Sequence, residues 1–240
     1  MRGRVRHRPL ATPVIGLGLA LGLFTTACGP LSGTDDAKNT STDSSPSPSP
    51  VPKPLDAKAL LAATLSAQEV NMVDAPPAEE RRPDPVKELS DPECRQFLAL
   101  KDGASAPVVV TQAFQWKRGV WAGTTLAAYG NVTDALNAFA KLRTTRAGCQ
   151  SFSEAGTPDA PVVTFVDRTS PAQGDEALAF ALATDVPGQR DATTEEHVVA
   201  RVGTVIVDFR RLSSDGKGIG EFPTSLMARQ VTHLVLAQRG

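Results

Sequence analysis

Five alternating prolines, Pro46, Pro48, Pro50, Pro52 and Pro54, close a stretch (29–54) whose large apolar side chains are Leu31 and Val51. Such a segment cannot bury enough surface to offset the entropy of ordering it. Its proline spacing favours extended polyproline II, at about 3.1 Å per residue, and makes it a semi-rigid stalk. Folding is thereby confined to residues 55–240, about the size of one domain and long enough for a real core. No internal repeat is visible in it.

Ahead of the stalk, Arg2, Arg4, Arg6 and Arg8 stand without an acid, followed by an apolar run from Leu10 to Phe24 and the small residues 25–27. This is the layout of a secretory signal over residues 1–27. Cys28 directly after Ala27 resembles a bacterial lipobox, although Thr25 stands where lipoboxes usually place Leu. The resemblance implies diacylation of Cys28, with palmitate-type chains holding the protein to the cell membrane. An uncleaved transmembrane anchor is the alternative, but the run is short for a span of about 20 residues and is broken by Pro13. Either reading places the remainder outside the cytoplasm. The chain carries 25 Lys+Arg and 26 Asp+Glu; without the four leader arginines the balance is 21 against 26, a net charge of −5. A mildly acidic chain without a basic run argues against a nucleic-acid partner and against adhesion to anionic lipid by charge.

Within the domain, Asp56 is placed to cap a first helix carrying Leu60, Leu61 and Leu65. Pro76, Pro77, Pro83 and Pro85 mark an irregular, charged connection. Asp91-Pro92 reads as N-cap and first helical position, with Cys94, Phe97 and Leu98 on one face and Gly103 as the stop. Strands are predicted over 107–116, 120–130, 161–166 and 176–186. A helix over about 133–147 buries Ala135, Leu136, Phe139 and Leu142, with Gly148 as a left-handed terminator. Runs 197–202 and 204–211 form a hairpin turning at Val202-Gly203, and a last helix near 223–238 carries Leu226, Met227, Val231, Leu234 and Val235. Strands followed by helices, without βαβ alternation, predict an α+β fold: a twisted antiparallel sheet with helices packed on one face, in two layers.

With Cys28 taken by lipid, Cys94 and Cys149 are most simply a structural disulfide outside the membrane. A redox pair would need closer spacing.

The order of parts has a parallel. A Cys-bearing helix precedes two strands with Trp116, Trp121 and Tyr129. A helix patterned Ala135, Phe139, Cys149 follows, and Arg201-Val202-Gly203-Thr204-Val205-Ile206-Val207 comes late, before the terminal helix. Over 55–240 this resembles the extracellular sensor domain of PknH-type serine/threonine kinases of actinobacteria, and the lipoproteins that carry such a domain without a kinase. The resemblance implies a twisted antiparallel sheet flanked by helices, with a cleft for an unidentified ligand. It departs in having one candidate disulfide in place of two, and Arg146 where relatives often have Trp. Without a kinase domain, signalling would need a membrane protein partner.

Catalytic chemistry has little to draw on. After the leader the histidines are His197 and His233, and no Gly-x-Ser-x-Gly elbow is present. Gly216, Gly218 and Gly220 lack the Lys-Ser/Thr of a phosphate loop and read as a flexible segment. His233 reads as a packed or edge histidine. In the hairpin, the Val202-Gly203 turn would set His197 against Asp208, Glu195 against Arg210 and Arg201 against Thr204, a face of opposed charges. That face is either solvated or a polar patch in a ligand cleft; Val198, Ala200, Val205, Val207 and Phe209 form the apolar face beneath the helices. Trp116, Trp121 and Tyr129 are read as core or as cleft lining. The candidate ligand-binding residues are therefore His197, Asp208, Arg210, Arg201, Trp116 and Trp121, with no catalytic group, metal or cofactor.

These readings describe a non-catalytic, lipid-anchored sensor or ligand-binding module facing outside the cytoplasm, which takes a small molecule between sheet and helices and presents it to a membrane partner. The alternative is an envelope lipoprotein that binds a protein or cell-wall polymer through its surface. A hydrolase is the third reading.

Overall fold

The computed structural model describes residues 51–70, 76–117, 120–185, 187–188, 193–213 and 222–240. The leader, Cys28 and the glycines at 216–220 lie outside the described residues. In chain order the elements are α1 (Ala57–Ala62), α2 (Ala67–Val70), β1 (Glu79–Glu80), α3 (Pro92–Lys101), β2 (Val108–Lys117), β3 (Val120–Ala128) and α4 (Val132–Gly148). They continue with β4 (Ser151–Phe152), β5 (Val162–Asp167), β6 (Glu176–Asp185), β7 (Thr193–Val202), β8 (Val205–Ser213) and α5 (Thr224–Ala237). The strands form one antiparallel sheet in the order β1-β2-β3-β8-β7-β6-β5-β4. The meander from β4 inward to β8 thus meets the β3–β2 hairpin along β8, and both outermost strands are two residues long. Short edges of this kind limit unwanted strand pairing.

The α+β class and the antiparallel sheet are as the sequence predicts, but the helices lie on both faces. Alternate strand residues point opposite ways. Val110, Phe114, Leu126, Val198, Val207 and Phe209 pack with Leu60, Leu65, Leu226, Met227 and Leu234 of the α1 and α5 side. Their chain neighbours Val109, Ala127, Val199 and Ile206 pack with Cys94, Phe97, Phe139 and Leu142 of α3 and α4. A two-layer reading fails because the central strands β3, β8 and β7 are apolar on both sides over part of their length. One layer of helices would leave half of that surface in water.

Local signals account for the helix ends. The Asp56 side chain accepts from Ala59 N, and Asp91 accepts from Glu93 N and Cys94 N ahead of Pro92. Gly103, at φ +84°, stops α3 as expected. Gly148 instead stays within α4, and Cys149 takes the cap position. Leu136, predicted to be buried, faces solvent at 42% exposure, while Thr145 and Arg146 join the buried face. Arg146 lies 4.5 Å from the Phe165 ring centroid and donates to Cys149 O, so its flat guanidinium packs beside the disulfide. Cys94 and Cys149 are bonded to each other and fully buried, tying α3 to the end of α4.

The β7–β8 turn falls one residue later than predicted, at Gly203-Thr204, so Val202 pairs with Val205 and Arg201 with Ile206. Gly203 has φ +57°, the left-handed first position that a two-residue hairpin of type II′ requires. The turn is held from several sides. Gln238 Oε1 accepts from Thr204 N, Gln238 Nε2 donates to Val202 O, and Asp175 accepts from Gly203 N and Arg201. A Cβ at Gly203 would lie 2.2 Å from Gln238 Oε1. Gly203→Ala is therefore expected to cost about 1–3 kcal/mol, from backbone strain and the displaced glutamine. A urea-unfolding midpoint equal to that of the unaltered protein would contradict this.

Candidate functional site

The late turn moves the register by two residues, which keeps every side chain on its predicted face but changes the partners. His197 is opposite Arg210, and Asp208 is opposite Val199. His197 and Asp208 still meet, now diagonally: His197 Nδ1 is 3.0 Å from Asp208 Oδ1 and 3.1 Å from Oδ2. At these two residues the face is not solvated, since both are 2% exposed or less, whereas Arg210 at its edge is half exposed. What covers it is α3. Cys94, Phe97 and Lys101 recur at i, i+3 and i+7, so Lys101 shares the face that packs on the sheet. Lys101 Nζ donates to Asp208 Oδ2 at 3.3 Å and to Asp102 Oδ1 at 2.6 Å. The His197 ring stacks on Phe180, with centroids 4.9 Å apart. Its buried Nε2 has no hydrogen-bond partner among the described residues, with Glu195 Oε1 3.5 Å away. Glu195 Oε1 is in turn 4.0 Å from Arg210 Nη1. The result is a chain of charged and polar groups: Asp102, Lys101, Asp208, His197, Glu195, Arg210.

Burial opposes ionisation of Asp208, but His197, Lys101 and Arg210 outweigh it and hold its pKa well below the ordinary carboxylate range. Burial likewise opposes the charge on Lys101, and Asp208, Asp102 and Glu195 outweigh it, lifting its pKa above the ordinary lysine value. The signs fix a pH window. Asp208 contributes stability that is full above about pH 4 and is lost as pH falls toward its depressed folded value. Lys101 contributes stability that is full below about pH 10 and is lost as pH rises toward its raised one. The stability gap between the unaltered protein and Asp208→Asn is therefore expected to be wide at pH 7 and to narrow at pH 2–3. Denaturation midpoints at both pH values measure it, and a gap independent of pH would refute the assignment.

Both ends of this chain reach a cavity of about 430 Å³, lined by Asp102 and Arg210 among others. Its floor is the sheet at Thr111, Ala113, Thr125 and Arg210. Its walls are the proline-bearing segment with Pro76, Pro77, Glu79, Arg81, Pro83 and Asp84. That segment is kept in place by β1, which pairs with Thr111 and Val110, and by Arg81 N donating to Val109 O.

No protein-family model matches the chain, and no curated protein matches it by sequence. Its architecture does have a solved parallel. The fold is similar to that of the extracellular domain of PknH from Mycobacterium tuberculosis. The TM-score is 0.56 at 12% sequence identity, covering 78% of this chain and 99% of the PknH domain. At that identity the likeness with PknH carries the arrangement of elements and no residue roles.

Of the six residues singled out from sequence, His197, Asp208 and Arg210 come together, with Arg210 in the cavity and the other two beneath it. Arg201 stands elsewhere, on the same face of β7 but at its turn end, held by Asp175 and Glu176. Trp121 is 48% exposed on β3, which overturns its core reading; Tyr129 is buried, with its hydroxyl 3.1 Å from Ser105 Oγ. The Trp116 side chain lies outside the described residues. His233 is an edge histidine, 3.1 Å from Glu69 Oε1. Lys101, Asp102, Thr111 and Thr125 escaped the sequence reading. Lys101 alone left a signal, its helical spacing from Cys94 and Phe97. Among the described residues no group of three His, Cys, Asp or Glu is placed to hold a metal ion, and no helix is long and apolar enough to cross a membrane.

Proposed function

We propose that this protein is a non-catalytic, extracytoplasmic ligand-binding module, lipid-anchored at Cys28, which takes a small molecule in the cavity over Thr111, Thr125 and Arg210 and presents it to a membrane partner. The observation that carries the reading is the continuity between an open polar cavity and the buried charged chain behind it. The cavity volume falls within the range of about 300–1,000 Å³ usual for small-molecule sites. The buried charges are hydrogen-bonded to one another, which fixes the floor in advance of binding. The fold likeness to an extracellular domain supports the location. The signal and lipobox pattern supports the anchor.

Native mass spectrometry of the purified full chain tests the binding reading. A stoichiometric small-molecule adduct, lost on mild denaturation and weakened by Arg210→Gln, is expected. A clean apo mass, together with no perturbation of cavity resonances by a small-molecule library in NMR, would sink it. Trp121 favours a second reading, in which the same sheet face binds a protein or cell-wall polymer. Under it, Trp121→Ala would abolish partner capture while Arg210→Gln would not.

A further inference from the structure

The charges around the cavity are sorted by sign, and their arrangement selects a ligand class; this step rests on the cavity being a binding site. Gly123 is the ladder partner of Arg210, and a Cβ there would lie 3.3 Å from Arg210 Nε. The guanidinium thus lies back across β3, over the place where a side chain would otherwise stand. The side chains of the cross-strand pair Thr125 and Thr111 share the cavity floor with it. The carboxylate paired with Arg210, Glu195, is 4.0 Å away, beyond hydrogen-bonding distance. On the far side stand Glu79 and Asp84, with Asp102 at the end of α3. Asp84 is taken by Arg81 and Asp102 by Lys101. Two charges remain without a hydrogen-bonded counter-ion among the described residues: Arg210 on the floor and Glu79 on the opposite wall.

We propose that the cavity takes a zwitterion of peptide character, its carboxylate on Arg210 and its amine toward Glu79. A guanidinium sharing a cavity floor with two threonines suits a carboxylate. A purely anionic ligand would leave Glu79 without a counter-ion, and a purely cationic one would leave Arg210 without one. Three strand spacings across the sheet and two residues along it separate the Glu79 and Arg210 backbones, roughly 16 Å, and Arg210 leans inward over part of that. An extended tripeptide, spanning about 10 Å, fits the remainder. The prolines of the wall offer apolar surface for the middle of such a ligand.

Isothermal titration of the full chain with triglycine, N-acetyltriglycine and triglycine amide tests this. Triglycine is expected to bind, and acetylation or amidation each to weaken it by at least about tenfold, the scale of one charge-assisted hydrogen bond. Arg210→Gln should erase the preference for a free carboxylate, and Glu79→Gln the preference for a free amine, both in proteins that still unfold cooperatively. Equal binding of all three peptides overturns the proposal, as does loss on amidation alone or no binding of any. A neutral or sugar adduct in the native mass spectrum would at the same time keep the binding-module reading, so the two failures remain distinct.

Discussion

Asp208→Ala is expected to lower folding stability by about 3–5 kcal/mol, because it leaves the buried Lys101 ammonium short of a counter-ion and the buried His197 Nδ1 without its acceptor. Asp208 is 1% exposed and receives both Lys101 Nζ and His197 Nδ1. Lys101, itself 7% exposed, would keep Asp102 as its ion-pair partner among the described residues. Bringing such charges out of water costs several kcal/mol per ion, and their mutual attraction offsets that cost only while the set is complete. The double replacement Lys101→Met with Asp208→Leu is accordingly expected to regain much of the loss, since both charges leave together. Urea unfolding of the three proteins decides the matter. A double variant less stable than Asp208→Ala would show that the cluster stabilises the fold by itself and not merely through completeness.

Removing the disulfide by Cys94→Ala with Cys149→Ala is expected to cost about 4 kcal/mol, from the added chain entropy of the unfolded state at a sequence separation of 55. The effect should extend beyond stability. The bridge fastens α3, and α3 delivers Lys101 to Asp208 seven residues further along the same face. In the bridgeless protein the backbone amides of the end of α3, about Leu100 to Asp102, should exchange hydrogen faster than those of β8. A loss below about 1 kcal/mol with unchanged exchange would mean that packing alone holds α3.

Where sequence reading succeeded, local chemistry was decisive. Asp91-Pro92 and Asp56 cap helices, Gly103 stops one, and the alternation from Val198 to Phe209 sorts two faces. The cysteine pair was legible because redox compartment and parity leave few choices. The errors share a cause, since each depends on what another part of the chain covers. Trp121 is apolar by type, yet among the described residues no element buries it, and it is half exposed. Leu136 lies just off the buried stripe of α4, and Arg146 takes a buried place there because Phe165, Cys149 and Asp167 meet its guanidinium. Two layers became three because a strand that is apolar on both sides looks, residue by residue, much like one that is apolar on one. The candidate site was half visible. Its strand residues followed from hairpin alternation, which tolerated a register error of two. The lysine from α3 and the wall from 76–84 depend on long-range packing that no local pattern carries.

Lys53 N donates to Gln238 O, and Lys53 O accepts from Thr204 at the β7–β8 turn. The chain therefore joins its folded body at one pole of the sheet. Arg210 is six residues beyond Thr204 along β8, about 20 Å toward the other pole. The segment at Lys53 and the cavity are therefore about 20 Å apart along the sheet of one folded body.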